Sequence, residues 1–163
     1  MFSAKELLMT YVFLLAIGIG IVAGLRALLA PAIVAWAAHI GLLSLHGSPL
    51  EFMRSTTAVA IFTIIAIGEL IGDKLPQTPN RTALPSLLVR ILMGGLCGAT
   101  LCAAAGESLL PGALSGATGA LLGAFAGYEI RKRLVTSLHI KDLFVAICED
   151  LIAIVLACLV VSR

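Results

Sequence analysis

The run LLMTYVFLLAIGIGIVAGL, residues 7–25, contains no charged residue and is long enough to cross a bilayer as a helix. A membrane-spanning helix needs about 20 consecutive, mostly apolar residues. Five more charge-free runs follow it, and they cover residues 27–50, 55–68, 91–106, 108–128 and 151–162. Because these runs are continuous rather than alternating between apolar and polar residues, they favour helices over a membrane β-barrel.

The overall composition leads to the same fold class. Of 163 residues, 60% are hydrophobic and 12% are charged, whereas a soluble domain is typically about 25% charged. We therefore expect an all-α polytopic membrane protein, with about six transmembrane helices in a single domain over 1–163. The expected helices cover residues 7–24, 27–44, 55–72, 86–105, 112–130 and 143–161. The sequence leaves open whether helices 1 and 2, or 4 and 5, form a re-entrant pair.

A polar segment at residues 73–85 contains three prolines and divides the chain into two groups of three helices. Short similarities link the two groups; for example, Val-Ala-Ile occurs at 59–61 and again at 145–147. These similarities suggest two inverted three-helix repeats, at 7–72 and 86–161. Inverted repeats are common in secondary transporters.

Glycines recur at intervals of four residues in three of the expected helices. Such spacing lets helix backbones approach closely in a bilayer, where apolar burial does not drive helices together. The pattern has two interpretations, which are packing within one chain and a homodimer through the glycine-rich helices. The glycines concerned are Gly20, Gly24, Gly94, Gly98, Gly112, Gly116, Gly119, Gly123 and Gly127.

The basic residues are distributed unevenly between the two sides of the expected bundle. With six spans, the connections 1–2, 3–4 and 5–6 share one side, and that side holds eight of the 11 Lys and Arg residues. The positive-inside rule assigns this side to the cytoplasm. Both chain termini are then expected outside.

Several charged residues fall at or within the expected helices on this same side. Charges inside a membrane are costly and are usually kept for function. Glu149 and Asp150 are adjacent, so they point about 100° apart on a helix; one can face a pocket while the other pairs with Arg26, Lys74 or Arg90. The alternative is an ion-pair network that only stabilises the bundle. The residues predicted to bind an ion or solute are Glu69, Glu149, Asp150, Arg26, Asp73, Lys74, Arg81 and Glu129.

The sequence predicts no catalytic residue and no cofactor. It contains no Gly-x-Ser-x-Gly elbow and no phosphate-binding loop, and its four cysteines form no Cys-x-x-Cys pair. The histidines lack metal-binding spacing, so metal binding is left unassigned. A net charge of +2 is too small to indicate nucleic acid as a partner.

Four blocks of sequence resemble the motifs of a bacterial membrane family, domain of unknown function 4126. They are GLRALLAPAIVAWAA at 24–38, GELIGDKLPQTPNRT at 68–82, GYEIR at 127–131, and the pair Glu149-Asp150. The resemblance implies a multi-pass protein of the bacterial inner membrane and brings no established activity. The positions that it marks are Arg26, Glu69, Asp73, Lys74, Pro76, Thr78, Arg81, Glu129, Glu149 and Asp150.

Three functions are consistent with these patterns. The first is a small transporter or channel whose cytoplasm-facing charges bind an ion, a proton or a small charged solute. The second is a lipid-handling membrane enzyme or binding protein that holds a phosphorylated headgroup on the 73–85 segment. The third is a non-catalytic membrane scaffold. We expect the first, which is not an enzyme.

Overall fold

The computed structural model describes residues 4–72, 83–137 and 142–163, and these residues form six α-helices without a β-strand. One turn of 3-10 helix, Glu51–Arg54, precedes the third α-helix. The prediction of an all-α fold is therefore confirmed. The helices are α1 (Ala4–Leu25), α2 (Leu29–His39), α3 (Thr56–Gly72), α4 (Leu84–Ala104), α5 (Leu109–Ser137) and α6 (Asp142–Val161).

The helices differ in whether they can cross a membrane. The sequence predicted about six transmembrane helices, but within the described ranges only four are long and apolar enough to cross: α1, α4, α5 and α6. The other two, α2 and α3, have 11 and 17 residues. At 1.5 Å per residue α2 rises about 16 Å, roughly half of a 30 Å hydrocarbon layer.

The second helix ends five residues earlier than the sequence predicted. Its end has a local cause, because Gly41 adopts a left-handed conformation with φ of 84°. The Gly41 N–H donates to the Ala38 carbonyl, and the Leu42 N–H donates to the Ala37 carbonyl. These two hydrogen bonds form a Schellman cap, which uses glycine to stop a helix.

The fifth helix is longer than predicted, at 29 residues. The sequence predicted that this helix ends at residue 130, and that boundary was wrong. No glycine or proline follows Gly127 before the end of the helix. The Arg133 Nε also donates to Glu129 Oε1 one turn back, over 2.8 Å, which supports a continuous helix.

The centre of the bundle is α5, which packs between α1 and α4 through glycines. A Cβ added at Gly116 would overlap the Gly94 carbonyl on α4, and one added at Gly119 would overlap the Ile17 carbonyl on α1. Backbone therefore lies directly on backbone at these positions, and the glycines of α5 are used within the chain.

The long-range contacts define the direction of each helix. α6 runs antiparallel to α1, because Gly18 lies beside Val160 while Arg26 lies beside Asp150. α2 and α3 form an antiparallel hairpin, in which the indole N–H of Trp36 donates to Thr63 Oγ1 over 3.0 Å. The inverted repeat stays a prediction. Its corresponding second helices, α2 and α5, have 11 and 29 residues.

Candidate functional site

Three residues that are not helical, 26–28, separate the end of α1 from the start of α2. This interruption is called the break below. Arg26 and Ala27 are buried. Leu28 is the N-cap of α2, and its apolar side chain makes no capping hydrogen bond. A helix end leaves up to four N–H or four C=O groups without partners in the helix, and a bilayer offers no water to bond them. Polar groups from elsewhere in the chain must therefore meet this break.

The carboxylate of Glu69, in the last turn of α3, meets the N-terminus of α2. Its Oε1 accepts a hydrogen bond from the Ala27 N–H over 2.7 Å, and its Oε2 accepts one from the Leu28 N–H over 2.8 Å. A negative group also suits the partial positive charge of a helix N-terminus. Glu69 thus caps α2 from a different helix.

The guanidinium of Arg90, on α4, meets the other side of the break. Its Nη1 donates to the carbonyls of Gly24 and Leu25, over 2.8 and 2.9 Å. These carbonyls form the C-terminal, partly negative end of α1. Arg90 is buried, and its Nη2 lies 4.0 Å from Glu69 Oε1. Arg90 therefore binds the C-terminal end of α1, while Glu69 binds the N-terminal end of α2.

A second charged pair lies directly beside the first. Arg26 Nη2 is 2.6 Å from Asp150 Oδ1 on α6. Arg26 is completely buried and Asp150 is 8% exposed. Asp150 is eight residues from the start of α6, or about 12 Å along the helix axis. The pair therefore lies well inside the length of a helix that can cross a membrane.

These four side chains are referred to below as the break cluster: Arg26, Glu69, Arg90 and Asp150. They come from the break itself, α3, α4 and α6. Their formal charges cancel, which lowers the cost of keeping charge in an apolar surrounding. The sequence predicted Arg26, Glu69 and Asp150 as site residues. It indicated Arg90 only as a possible ion-pair partner. The available signal was that Arg90 is the only charged residue in α4.

The adjacent acids Glu149 and Asp150 face different surroundings. Asp150 pairs with Arg26, whereas Glu149 lines a groove between α5 and α6. Glu149 Oε2 is 3.7 Å from Nη1 of Arg131, the residue that α5 contributes by extending beyond its predicted end. Each acid therefore lies beside a different arginine, and only Glu149 lines the groove, as the angle between the two residues on a helix allows.

The remaining predicted site residues are not part of the break cluster. Glu129 is exposed and accepts the bond from Arg133 on its own helix. Asp73, Lys74 and Arg81 lie outside the described residues. Among the described residues, no group of three or more His, Cys, Asp or Glu side chains is arranged to hold a metal ion.

Comparison with known proteins gives one finding. The model of a family described as "Domain of unknown function (DUF4126)" matches residues 13–162. No curated protein and no solved structure matches the chain. The matched range includes the whole break cluster and the groove between α5 and α6.

Proposed function

The chain belongs to the family described as a domain of unknown function, DUF4126, and we propose from its geometry that this membrane protein is a small transporter. In this proposal the break cluster first binds a proton and then a small anionic solute, so that both are bound together. The observation that supports it is a buried helix break whose two ends are held by charged side chains of other helices.

A broken helix is an unusual way to build a membrane bundle that has only a structural role. A continuous helix satisfies its own backbone, whereas a break inside a bilayer must be satisfied by other groups. Transporters use such breaks to form binding sites near the middle of the membrane. Here Glu69 occupies the helix N-terminus that an anionic group could otherwise take.

The buried Arg26–Asp150 pair supplies the exchangeable charge in this proposal. A proton taken up by Asp150 neutralises its carboxylate and so removes the negative charge that lies 2.6 Å from the guanidinium of Arg26. An anionic solute can pair with that guanidinium through two parallel N–H bonds. Proton and anion together are neutral, so they can occupy the break without adding net charge to an apolar site.

The proposed orientation follows from the basic residues. The end of the bundle nearest the break also includes Arg131, Lys132 and Arg133 on α5. By the positive-inside rule this end faces the cytoplasm of a bacterial inner membrane, and both termini lie outside. Single cysteines introduced near residues 5 and 162 should react with a membrane-impermeant maleimide added to intact cells.

Flux measurements in liposomes test the transport proposal. Purified protein is reconstituted with a pH-sensitive dye inside, and proton uptake is followed after an anion is added outside, either chloride or phosphate. We expect uptake with at least one anion, and its loss in Asp150→Asn and Glu69→Gln. Glu129→Gln is the matched control, because Glu129 is an exposed acid outside the break cluster. Equal uptake in all three variants would contradict the assignment.

A structural role is the second candidate, and one observation favours it. Both acids of the break cluster lie beside arginines, which is the arrangement expected of a stabilising network. The double variant Arg26→Gln with Asp150→Asn separates the two roles, because it removes both charges together. Loss of flux in a folded double variant, compared with the unaltered protein, supports transport; a folded double variant with the same flux as the unaltered protein supports a structural role for the pair.

A further inference from the structure

An apolar groove of about 270 Å³ lies between the C-terminal half of α5 and the N-terminal half of α6. The two helices contact each other only over a short stretch, which leaves the groove open along one side. Its volume is close to the lower end of the usual range for ligand pockets, about 300–1,000 Å³. That space suits a segment of a hydrocarbon chain. The walls include Leu25, Ile130, Leu134, Phe144, Val145 and Ile152.

Charged groups are present at one level of this groove. Arg131 and Glu149 face each other across it, and both side chains are mostly buried, at 20% and 11% exposure. The basic run continues with Lys132 and Arg133 on the exposed surface of α5. The groove therefore combines an apolar channel with one arginine–glutamate pair.

We propose that this groove binds one phospholipid of the surrounding bilayer, with an acyl chain between α5 and α6 and its phosphate at Arg131. Both helices are long and apolar enough to span a membrane, so the lipid bilayer is the medium that meets the open side. A guanidinium binds phosphate oxygens through parallel N–H donors. Long arginine side chains also reach towards the headgroup level from within a helix. The proposal does not depend on the protein being a transporter.

Native mass spectrometry of the purified protein tests the proposal directly. The protein is mixed with phosphatidylglycerol in detergent, and adducts are counted after the micelle is removed. We expect one phospholipid to be retained per chain. Arg131→Gln should lower its retention about tenfold, which corresponds to one charge-assisted hydrogen bond. Ile152→Trp fills the groove and should abolish retention.

Two matched variants complete this experiment. Arg133→Gln removes a basic residue from the same helix outside the groove lining, and Ile147→Trp adds the same bulk on another face of α6. Both should retain lipid as the unaltered chain does. Equal retention in all four variants would overturn the proposal. Loss in Ile152→Trp without loss in Arg131→Gln would overturn the assigned phosphate contact, and with it the proposal as stated.

The cysteines of α6 provide a second measurement that needs no substitution. Cys148 lines the groove, whereas Cys158 is exposed on the same helix outside the groove. Alkylation by N-ethylmaleimide is compared in detergent alone and in detergent with added phosphatidylglycerol. We expect the lipid to slow modification of Cys148 more than that of Cys158. Equal slowing of both thiols would show ordinary micelle coverage and would count against a groove-bound lipid.

Discussion

The connection between α1 and α2 and the connection between α4 and α5 follow helices of similar length, 22 and 21 residues, but they are held in different ways. After α4, Gly106 adopts a φ of 73°, and the Glu107 N–H donates to the Cys102 carbonyl over 2.8 Å. All the partners in this turn lie within five residues. After α1, the partners are Glu69, 42 residues from Ala27, and Arg90, 66 residues from Gly24.

This difference separates a structural turn from a candidate site. A Schellman cap satisfies the end of a helix locally, so the α4–α5 turn needs nothing from the rest of the fold. The α1–α2 break depends on charged side chains of α3 and α4 and lies beside the Arg26–Asp150 pair. The partners at the α1–α2 break are charged side chains, whereas those in the α4–α5 turn are backbone groups.

The largest expected effect follows from leaving one charge of the buried pair without its partner. Asp150→Asn should lower the free energy of unfolding by about 3–5 kcal/mol, since the buried guanidinium of Arg26 then loses the carboxylate charge that lies 2.6 Å away. Unfolding in detergent can be followed by the fluorescence of Trp36, the single tryptophan, on α2. Adding Arg26→Gln should recover most of the loss. A single variant as stable as the unaltered protein would show that this pair does not hold the bundle.

The next effect concerns the long-range cap. Glu69→Ala leaves the Ala27 and Leu28 N–H groups without their acceptors, which should cost about 1–3 kcal/mol. Hydrogen exchange should accelerate in the first turn of α2 and stay unchanged in the middle of α5. Glu69→Gln should give a smaller change, because its amide oxygen still accepts one bond. Uniform acceleration over all helices would argue against a local cap.

The cap at Gly106, after α4, should contribute less to the free energy of unfolding, and its loss should leave transport unchanged. Gly106→Ala places a Cβ in a left-handed conformation, which costs about 1–2 kcal/mol. Thermal unfolding should shift accordingly, while flux in liposomes stays at the level of the unaltered protein. Loss of flux in this variant would remove the distinction between the two connections.

The smallest effect is expected on the surface of α5. Glu129 and Arg133 form an exposed pair one helical turn apart, and exposed pairs of this kind often contribute nothing measurable. Arg133→Gln should therefore leave unfolding, flux and lipid retention unchanged. A clear loss in any of these measurements would extend the functional region along the outer face of α5.

The sequence alone determined the features that depend on composition and local spacing. Charge-free runs of about 20 residues predicted the helices and the membrane, because both depend on hydrophobicity summed along the chain. The same reasoning predicted that Glu149 and Asp150 would face different surroundings. Glycine spacing predicted close helix contacts. The boundaries of α2 and α5 were predicted less well, since a cap at Gly41 and the pair of Glu129 with Arg133 depend on individual bonds.

Only the tertiary structure decided which charges meet. Glu69 bonds the two amides that immediately precede α2, a helix that begins 40 residues earlier in the chain, and Arg90 bonds two carbonyls at the end of α1. No local pattern encodes such pairs, because they depend on how α3 and α4 pack around the break. The sequence showed which residues carry charge near a membrane. The fold brought two acids and two arginines together, since each buried charge and each free helix end needed a partner.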